Sequence, residues 1–264
     1  MSYKYIRNEQ DLSKYNKIIS DDLREQLLED MKALTIVTGM RITDCTYKTE
    51  SIRLKLDKIY QDIDRLIMYI SEINLNYILI TIDKFSLQNY LEQHSLNVML
   101  FSIIIAYSIE FNKKKIKDLA ISAILHDIGK VYIPDFILNK NSRFNNDDYS
   151  IVKSHPLIGK EFVLNYCDKN IANNDDIIRG ILDHHERLDG SGYCKNLTGS
   201  QISYFGKIIA IADVFEAMLS TRPYKYGTSR IEALKAVSDT SKFDANMVYA
   251  LEGLLRNKQL IIKT

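Results

Sequence analysis

The chain has 264 residues, with 35 Lys+Arg against 34 Asp+Glu and a formal net charge of +1 when histidine is counted neutral. That near-balance argues against a protein that wraps polymeric nucleic acid or coats an acidic membrane. Hydrophobic residues make up 46% and charged ones 26%, values of a globular chain long enough for one large domain or two small ones.

Three cysteines, Cys45, Cys167 and Cys194, are too few and too widely spaced for a disulfide framework or a paired-cysteine zinc site, which points to a reducing compartment. The first residues lack the apolar block of a secretory signal. The longest uncharged apolar stretch, Val98 to Ile109, falls short of the roughly 20 residues needed to span a bilayer. The expectation is a soluble cytoplasmic protein with no membrane partner.

Glycine and proline punctuate the chain unevenly. No proline precedes Pro134, and Gly39 is the only glycine before Gly129, so the first half is predicted to be nearly continuous helix. Asp21–Leu34 reads as helix, while Thr35–Thr46 reads as either a turn or a short strand. Ile52, Ile59, Ile63, Leu66, Ile67 and Ile70 recur at helical spacing, followed by an apolar group through Leu79 and Ile82. Further helices are predicted over 87–110, 116–128, 147–165, 175–186, 202–219, 229–238 and 245–257. The class is all-α, with residues 1–85 a helical extension and 86–264 a helical bundle.

The five histidines fall on the apolar faces of these helices. His94 shares a face with Val98, Phe101 and Ile105, and His126 ends the apolar run from Ile116 beside Asp127. His155 lies between Ile151 and Ile158, and His184 and His185 continue the face of Ile177, Ile178, Ile181 and Leu182. The run Ile208 to Leu219 is apolar except for Asp213 and Glu216. A lone histidine on an apolar face is usually a satisfied core residue, but burying this many ionisable groups is costly unless they are paired or coordinated.

Imidazole nitrogens mixed with carboxylate oxygens, without thiolates, suit iron, manganese or zinc. The set His94, His126, Asp127, His155, His184, His185 and Asp213 is too large for one tetrahedral ion. It suits two divalent ions about 3.5–4 Å apart, with Asp127 as the natural bridge.

These residues carry a resemblance. His126-Asp127-Ile128-Gly129-Lys130, Ile133-Pro134, His155-Pro156 with Gly159, His184-His185-Glu186-Arg187, Asp189-Gly190-Ser191-Gly192-Tyr193, and Ala212-Asp213-Val214 with Arg222-Pro223-Tyr224 resemble the HD-GYP phosphodiesterases. These are a bacterial branch of the HD hydrolase superfamily that cleaves cyclic di-GMP. The match covers about residues 86–250 and departs from the family in places. Cys194 replaces the signature proline, Leu188 stands where tryptophan is usual, and Tyr90 occupies the position of a Glu that recruits a third ion in some members, with Glu92 on another face. Two metals are therefore expected, iron or manganese first.

The resemblance implies hydrolysis of cyclic di-GMP to linear pGpG, GMP or both by a water activated between the two ions. It gives Asp127 and Lys130 catalytic roles, with Lys130 touching the scissile phosphate. Tyr193, Glu216, Arg222 and Lys225 would contact the substrate: Arg222 and Lys225 a guanine or phosphate, Glu216 the guanine edge, and Tyr193 a base by stacking, unless it shapes the loop instead. Structural alternatives stand beside these roles, since Lys130 could be a helix-end lysine and Arg222-Pro223-Tyr224 a helix cap. Residues 1–85 match no sensor pattern and are expected to pack on the core or to form a homodimer. The rival functions are a non-catalytic cyclic di-GMP-binding signalling module and a phosphodiesterase for another cyclic dinucleotide such as cyclic GMP-AMP.

Overall fold

Ser20 opens the first helix, its hydroxyl accepting from the Leu23 amide at 3.3 Å, with Asp21 and Asp22 in the first turn where the helix dipole favours negative charge. In this computed structural model, which describes residues 16–40, 45–73, 78–81, 90–138, 140, 142–220, 227–257 and 260–263, the helix, α1, spans Asp21–Gly39. Thr35 and Thr38, read as turn or strand, are thus helical. They are buried on the side of α1 that carries Leu27, Met31 and Leu34.

The second helix, α2 (Cys45–Glu72), follows the periodicity of the sequence: Ile52, Ile59, Ile63, Leu66 and Ile70 are all buried, and Leu56 completes the stripe. The first half is not helix throughout. Strand β1 (Asn16–Lys17), β2 (Ile78–Thr81) and β3 (Leu260–Lys263) form a parallel sheet in the order β1-β2-β3. Its register pairs Asn16 with Ile78 on one side of β2, and Ile78 with Leu260 through Thr81 with Lys263 on the other. A four-residue apolar run cannot be told from a piece of helix by periodicity alone, so β2 was hidden in the sequence.

The remaining elements follow one another along the chain. Helix α3 (Tyr90–Ser108) is apolar nearly all round and lies in the middle of the bundle, packed on α1, on α4 (Lys113–Leu125), on α10 (Tyr204–Leu219) and on α12 (Ala245–Arg256). The uncharged stretch from Val98 is therefore a buried central helix. After α4 come a 3-10 turn (Ile128–Tyr132), α5 (Asp135–Leu138), α6 (Asn146–Val152), α7 (His155–Tyr166), α8 (Lys169–Ala172), α9 (Asp175–Asp183) and, before α10, a second 3-10 turn at Gly199–Gln201. Helix α11 (Arg230–Val237) packs on α10. No described helix is long and apolar enough to cross a membrane.

Three differences from the sequence reading bear on the site. The span 147–165 is two helices, because Pro156 in the first turn of α7 has no amide hydrogen to continue a preceding helix. That break makes His155 the first residue of α7. Helix α4 stops at Leu125 and α9 at Asp183, which leaves His126-Asp127 and His184-His185 at helix ends. The 3-10 turn then runs against α7 so closely that a Cβ on Gly129 would lie 2.1 Å from the His155 carbonyl oxygen and 2.8 Å from the Gly159 nitrogen. Buried side chains of α1 and α2 belong to the same apolar cluster as those of α3, α4 and α10.

Candidate metal centre

Three histidines are oriented by one local device. In His126, His155 and His184, Nδ1 lies 2.7 Å from the backbone carbonyl three residues earlier, that of Ala123, Val152 and Ile181 respectively. A carbonyl only accepts, so each ring carries a proton on Nδ1 and turns its Nε2 inward. His94 has a different partner, Glu216, whose Oε2 lies 2.6 Å from its Nδ1.

The inward nitrogens meet at Asp127. Its Oδ2 faces His126 Nε2 at 3.4 Å and His94 Nε2 at 3.6 Å. Its Oδ1 faces His155 Nε2 at 3.1 Å and His184 Nε2 at 3.9 Å. Among the described residues two groups have ligand atoms mutually within 4.8 Å: His94, His126 and Asp127, and Asp127, His155, His184 and His185. Asp127 is common to both. Asp213 approaches from α10, with Oδ1 at 3.2 Å from His94 Nε2 and Oδ2 at 4.0 Å from His185 Nδ1. All seven residues expected to bind metal thus come to one place.

The donor set fits cations. His155 Nε2 and His184 Nε2 are 3.3 Å apart in a buried space, while the Nδ1 of each ring is engaged by a backbone carbonyl. His126 Nε2 and Asp127 Oδ1 are buried without a hydrogen-bond donor or acceptor of their own. Such a concentration of unmatched acceptors is unfavourable in a protein interior unless positive charge sits among them.

Electrostatics sharpen this. Burial pushes His184 and His185 well below the usual imidazole range, so both rings are neutral lone-pair donors near pH 7. Burial alone would raise Asp127, but Lys130 and His126 outweigh it and hold the carboxyl well below the usual range. Asp213 is likewise held down against burial, chiefly by His94. Burial opposes charge on His94, yet Glu216 and Asp213 overcome it and raise the ring to about 9.

Lys130 reaches back from the 3-10 turn, its Nζ 2.5 Å from Asp127 Oδ2. Tyr193 lies on the other side, its ring stacked 4.5 Å from that of His185 at an interplanar angle of 23°. The loop carrying Tyr193 is fixed by Glu186, whose buried carboxylate accepts from the amides of Lys195 at 2.6 Å and Leu197 at 3.0 Å. Gly192 sits against the backbone of His185 and Glu186, where a Cβ would lie 2.5 Å from the His185 oxygen.

One expectation is corrected. Glu216 was read as a contact for a guanine edge, but it is fully buried. Its Oε2 holds His94, and its Oε1 accepts from Asn97 Nδ2 at 3.1 Å and Ser220 Oγ at 2.6 Å. Both oxygens are engaged inside the bundle, where they orient a histidine. Glu92 is bonded to Thr35, and Tyr90 stacks on His94 with centroids 5.6 Å apart. Arg222 and Lys225 lie outside the described residues.

Sequence reasoning gave no role to Asn97, Glu186 or Lys153. Asn97, three residues beyond His94 in an otherwise apolar helix, and Glu186, next to the histidine pair, were visible as polar residues in buried surroundings. Lys153 places its Nζ 4.4 Å from the Tyr149 ring centroid and 5.2 Å from that of Tyr193, an association that depends on the bend between α6 and α7.

Known proteins are similar to this chain to different extents. A cyclic di-GMP phosphodiesterase of Pseudomonas aeruginosa is 35% identical over 150 residues, 57% of this chain and 35% of that protein. The cyclic di-GMP phosphodiesterase response regulator RpfG of Xanthomonas campestris is 38% identical over 122 residues, covering 46% and 32%. A 3'3'-cGAMP-specific phosphodiesterase of Vibrio cholerae is 34% identical over 142 residues, covering 54% and 32%. The chain spans about a third of the length of these curated relatives. An HDG"Y"P protein from Bdellovibrio bacteriovorus has the same fold, with a TM-score of 0.58 at 16% identity over 89% of this chain and 70% of that one. The HD domain profile matches residues 85–247, the stretch from just before α3 into α12 that supplies every histidine of the cluster and the His126-Asp127 pair at its middle, and the chain accordingly belongs to the HD domain family.

Proposed function

We propose that the chain is a metal-dependent phosphodiesterase that hydrolyses cyclic di-GMP to linear pGpG, GMP or both. The observation that supports this most is the division of six inward ligands into two groups that share Asp127, with Asp213 beside them. Two divalent ions, iron or manganese, would be held by His94, His126, Asp127, His155, His184, His185 and Asp213. When bound, such ions supply Lewis acidity toward a phosphoryl oxygen and lower the pKa of a coordinated water.

The protein's own residues do the rest. The carbonyls of Ala123, Val152 and Ile181 fix three imidazoles with Nε2 turned inward, and Glu216 fixes His94. Lys130, a donor beside Asp127, is placed to offset charge that grows on a phosphate in the transition state. Tyr193 covers His185 and presents its outer face to a base. Arg222 and Lys225 complete the proposal as guanine or phosphate contacts. Residues 1–85 are proposed as a helical extension through which a homodimer forms, with exposed Tyr47, Leu54 and Met68 along α2 as its apolar surface.

The test is anaerobic purification with elemental analysis, followed by chromatography of products from cyclic di-GMP, cyclic GMP-AMP and cyclic di-AMP. Two metal equivalents and preferential cleavage of cyclic di-GMP are expected. Preferential turnover of cyclic GMP-AMP, the substrate class named for one relative, would move the assignment to that dinucleotide. Binding without turnover by the loaded protein would make it a signalling module.

A further inference from the structure

Two polar side chains of α1 enter the bundle and meet buried polar groups of α3. Thr35 donates its hydroxyl to Glu92 Oε1 at 2.6 Å, and that link stays at the α1–α3 contact. Arg24 donates Nη2 to Asn97 Oδ1 at 3.1 Å, and that link continues inward. Asn97 donates Nδ2 to Glu216 Oε1 at 3.1 Å, and Glu216 Oε2 receives His94 Nδ1 at 2.6 Å. Arg24 is 7% exposed, His94 1%, and Asn97 and Glu216 0%, so water does not scramble the sequence of partners.

The direction of each bond follows from what each group can do. A guanidinium only donates, so Asn97 must turn its carbonyl oxygen toward Arg24 and its amide hydrogens toward Glu216. The flipped amide would put hydrogens against the guanidinium and oxygen against the carboxylate, two repulsive contacts in a low-dielectric interior. With Asn97 donating to one carboxylate oxygen, the other is aimed at His94 Nδ1–H. That leaves His94 Nε2 directed at Asp213 and Asp127.

We propose that Arg24 is a positioning residue for the metal centre, acting through Asn97 and Glu216 to set the orientation of the His94 ring. Part of the site's support then comes from a helix that lies outside the matched residues 85–247. The proposal rests on the metal-binding reading above. Ser220 also donates to Glu216 Oε1, so loss of Arg24 weakens the support of His94 without removing it.

The experiment compares Arg24→Leu, Asn97→Leu and Thr35→Val in the full chain. Thr35→Val breaks a buried bond between the same two helices that does not lead to the cluster. Mn2+ binding is followed by the electron paramagnetic resonance signal of free ion, and the histidine rings of the metal-free chain by long-range 1H–15N correlation. Expected are an about tenfold weaker affinity for one Mn2+ equivalent in Arg24→Leu and a displaced His94 Nδ1–H signal with those of His126, His155 and His184 unmoved. The double variant with Asn97→Leu should be no weaker than Asn97→Leu alone, and Thr35→Val should lower the melting temperature with both affinities unchanged.

Equal shifts of affinity in Arg24→Leu and Thr35→Val, or an unmoved His94 signal in Arg24→Leu, would overturn the proposal. No Mn2+ uptake by the wild-type chain, together with a displaced His94 signal in Arg24→Leu, would overturn the metal reading and leave the positioning of the His94 ring standing.

Discussion

Asp213 and Glu216, one helical turn apart on α10, clasp the same imidazole from opposite sides: Asp213 Oδ1 is 3.2 Å from His94 Nε2, and Glu216 Oε2 is 2.6 Å from His94 Nδ1. Their spacing by three puts them on one face, and the ring between them separates their tasks. Glu216→Gln keeps the shape but replaces one acceptor oxygen with a donor that opposes Asn97 and Ser220. Metal affinity is expected to fall about tenfold, with the preference among cyclic dinucleotides unchanged. A changed preference in a substrate panel would return Glu216 to the substrate.

Asp127 is the carboxylate common to both ligand groups. Asp127→Ala should abolish metal loading and turnover together, read by elemental analysis and product chromatography. Activity retained at half the metal content would show that the two groups work independently of it.

Lys130 stands beside Asp127 without belonging to either ligand group. Lys130→Met should keep the metal and lower kcat by about 100-fold or more, with a smaller change in KM. Loss of metal in proportion to activity would show that its ammonium balances the cluster's charge rather than the phosphate's.

Gly129 is set by packing. A methyl group there would overlap the His155 carbonyl oxygen and the Gly159 nitrogen, both backbone atoms that cannot step aside. Gly129→Ala should cost about 2–4 kcal/mol in denaturant unfolding and should disturb His155 in the metal-free and loaded protein alike. A cost below 1 kcal/mol would mean that the 3-10 turn and α7 can separate easily.

Burial pushes the Cys194 thiol up to about 11, with Glu186 and Asp183 adding to the effect, and the Cys167 thiol up to about 12. A raised thiol pKa leaves little thiolate at neutral pH, about one part in a thousand for Cys194 at pH 8. Alkylation by iodoacetamide, followed by peptide mass spectrometry, should be slow at both sites and should rise about tenfold per pH unit below the pKa. Rapid labelling of Cys194 at pH 7 would show an activated thiol in the signature loop.

Much of the site was legible because its residues violate burial rules: five histidines on apolar faces, with Asp127 and Asp213 among aliphatic neighbours, have few structural explanations. The α2 stripe was legible for the opposite reason, since it obeys them. The direction of Glu216 was not legible, because spacing places a side chain on a face without naming the atom it meets. Arg24 and Asn97 are 73 residues apart, and nothing local in either segment announces the other. The break before His155 could have been read from Pro156, whose preference for a first helical turn outweighs the unbroken apolar pattern around it.

The parallel sheet has a consequence for biosynthesis. β2 holds β1 on one side and β3 on the other, so a nascent chain that has emerged from the ribosome only as far as α12 presents β2 with a bare edge. Unpaired edges recruit other strands, and this one stays open through the translation of the entire bundle. Chaperone engagement of the emerging polypeptide should therefore persist until residues 260–263 are released and zip onto their neighbour.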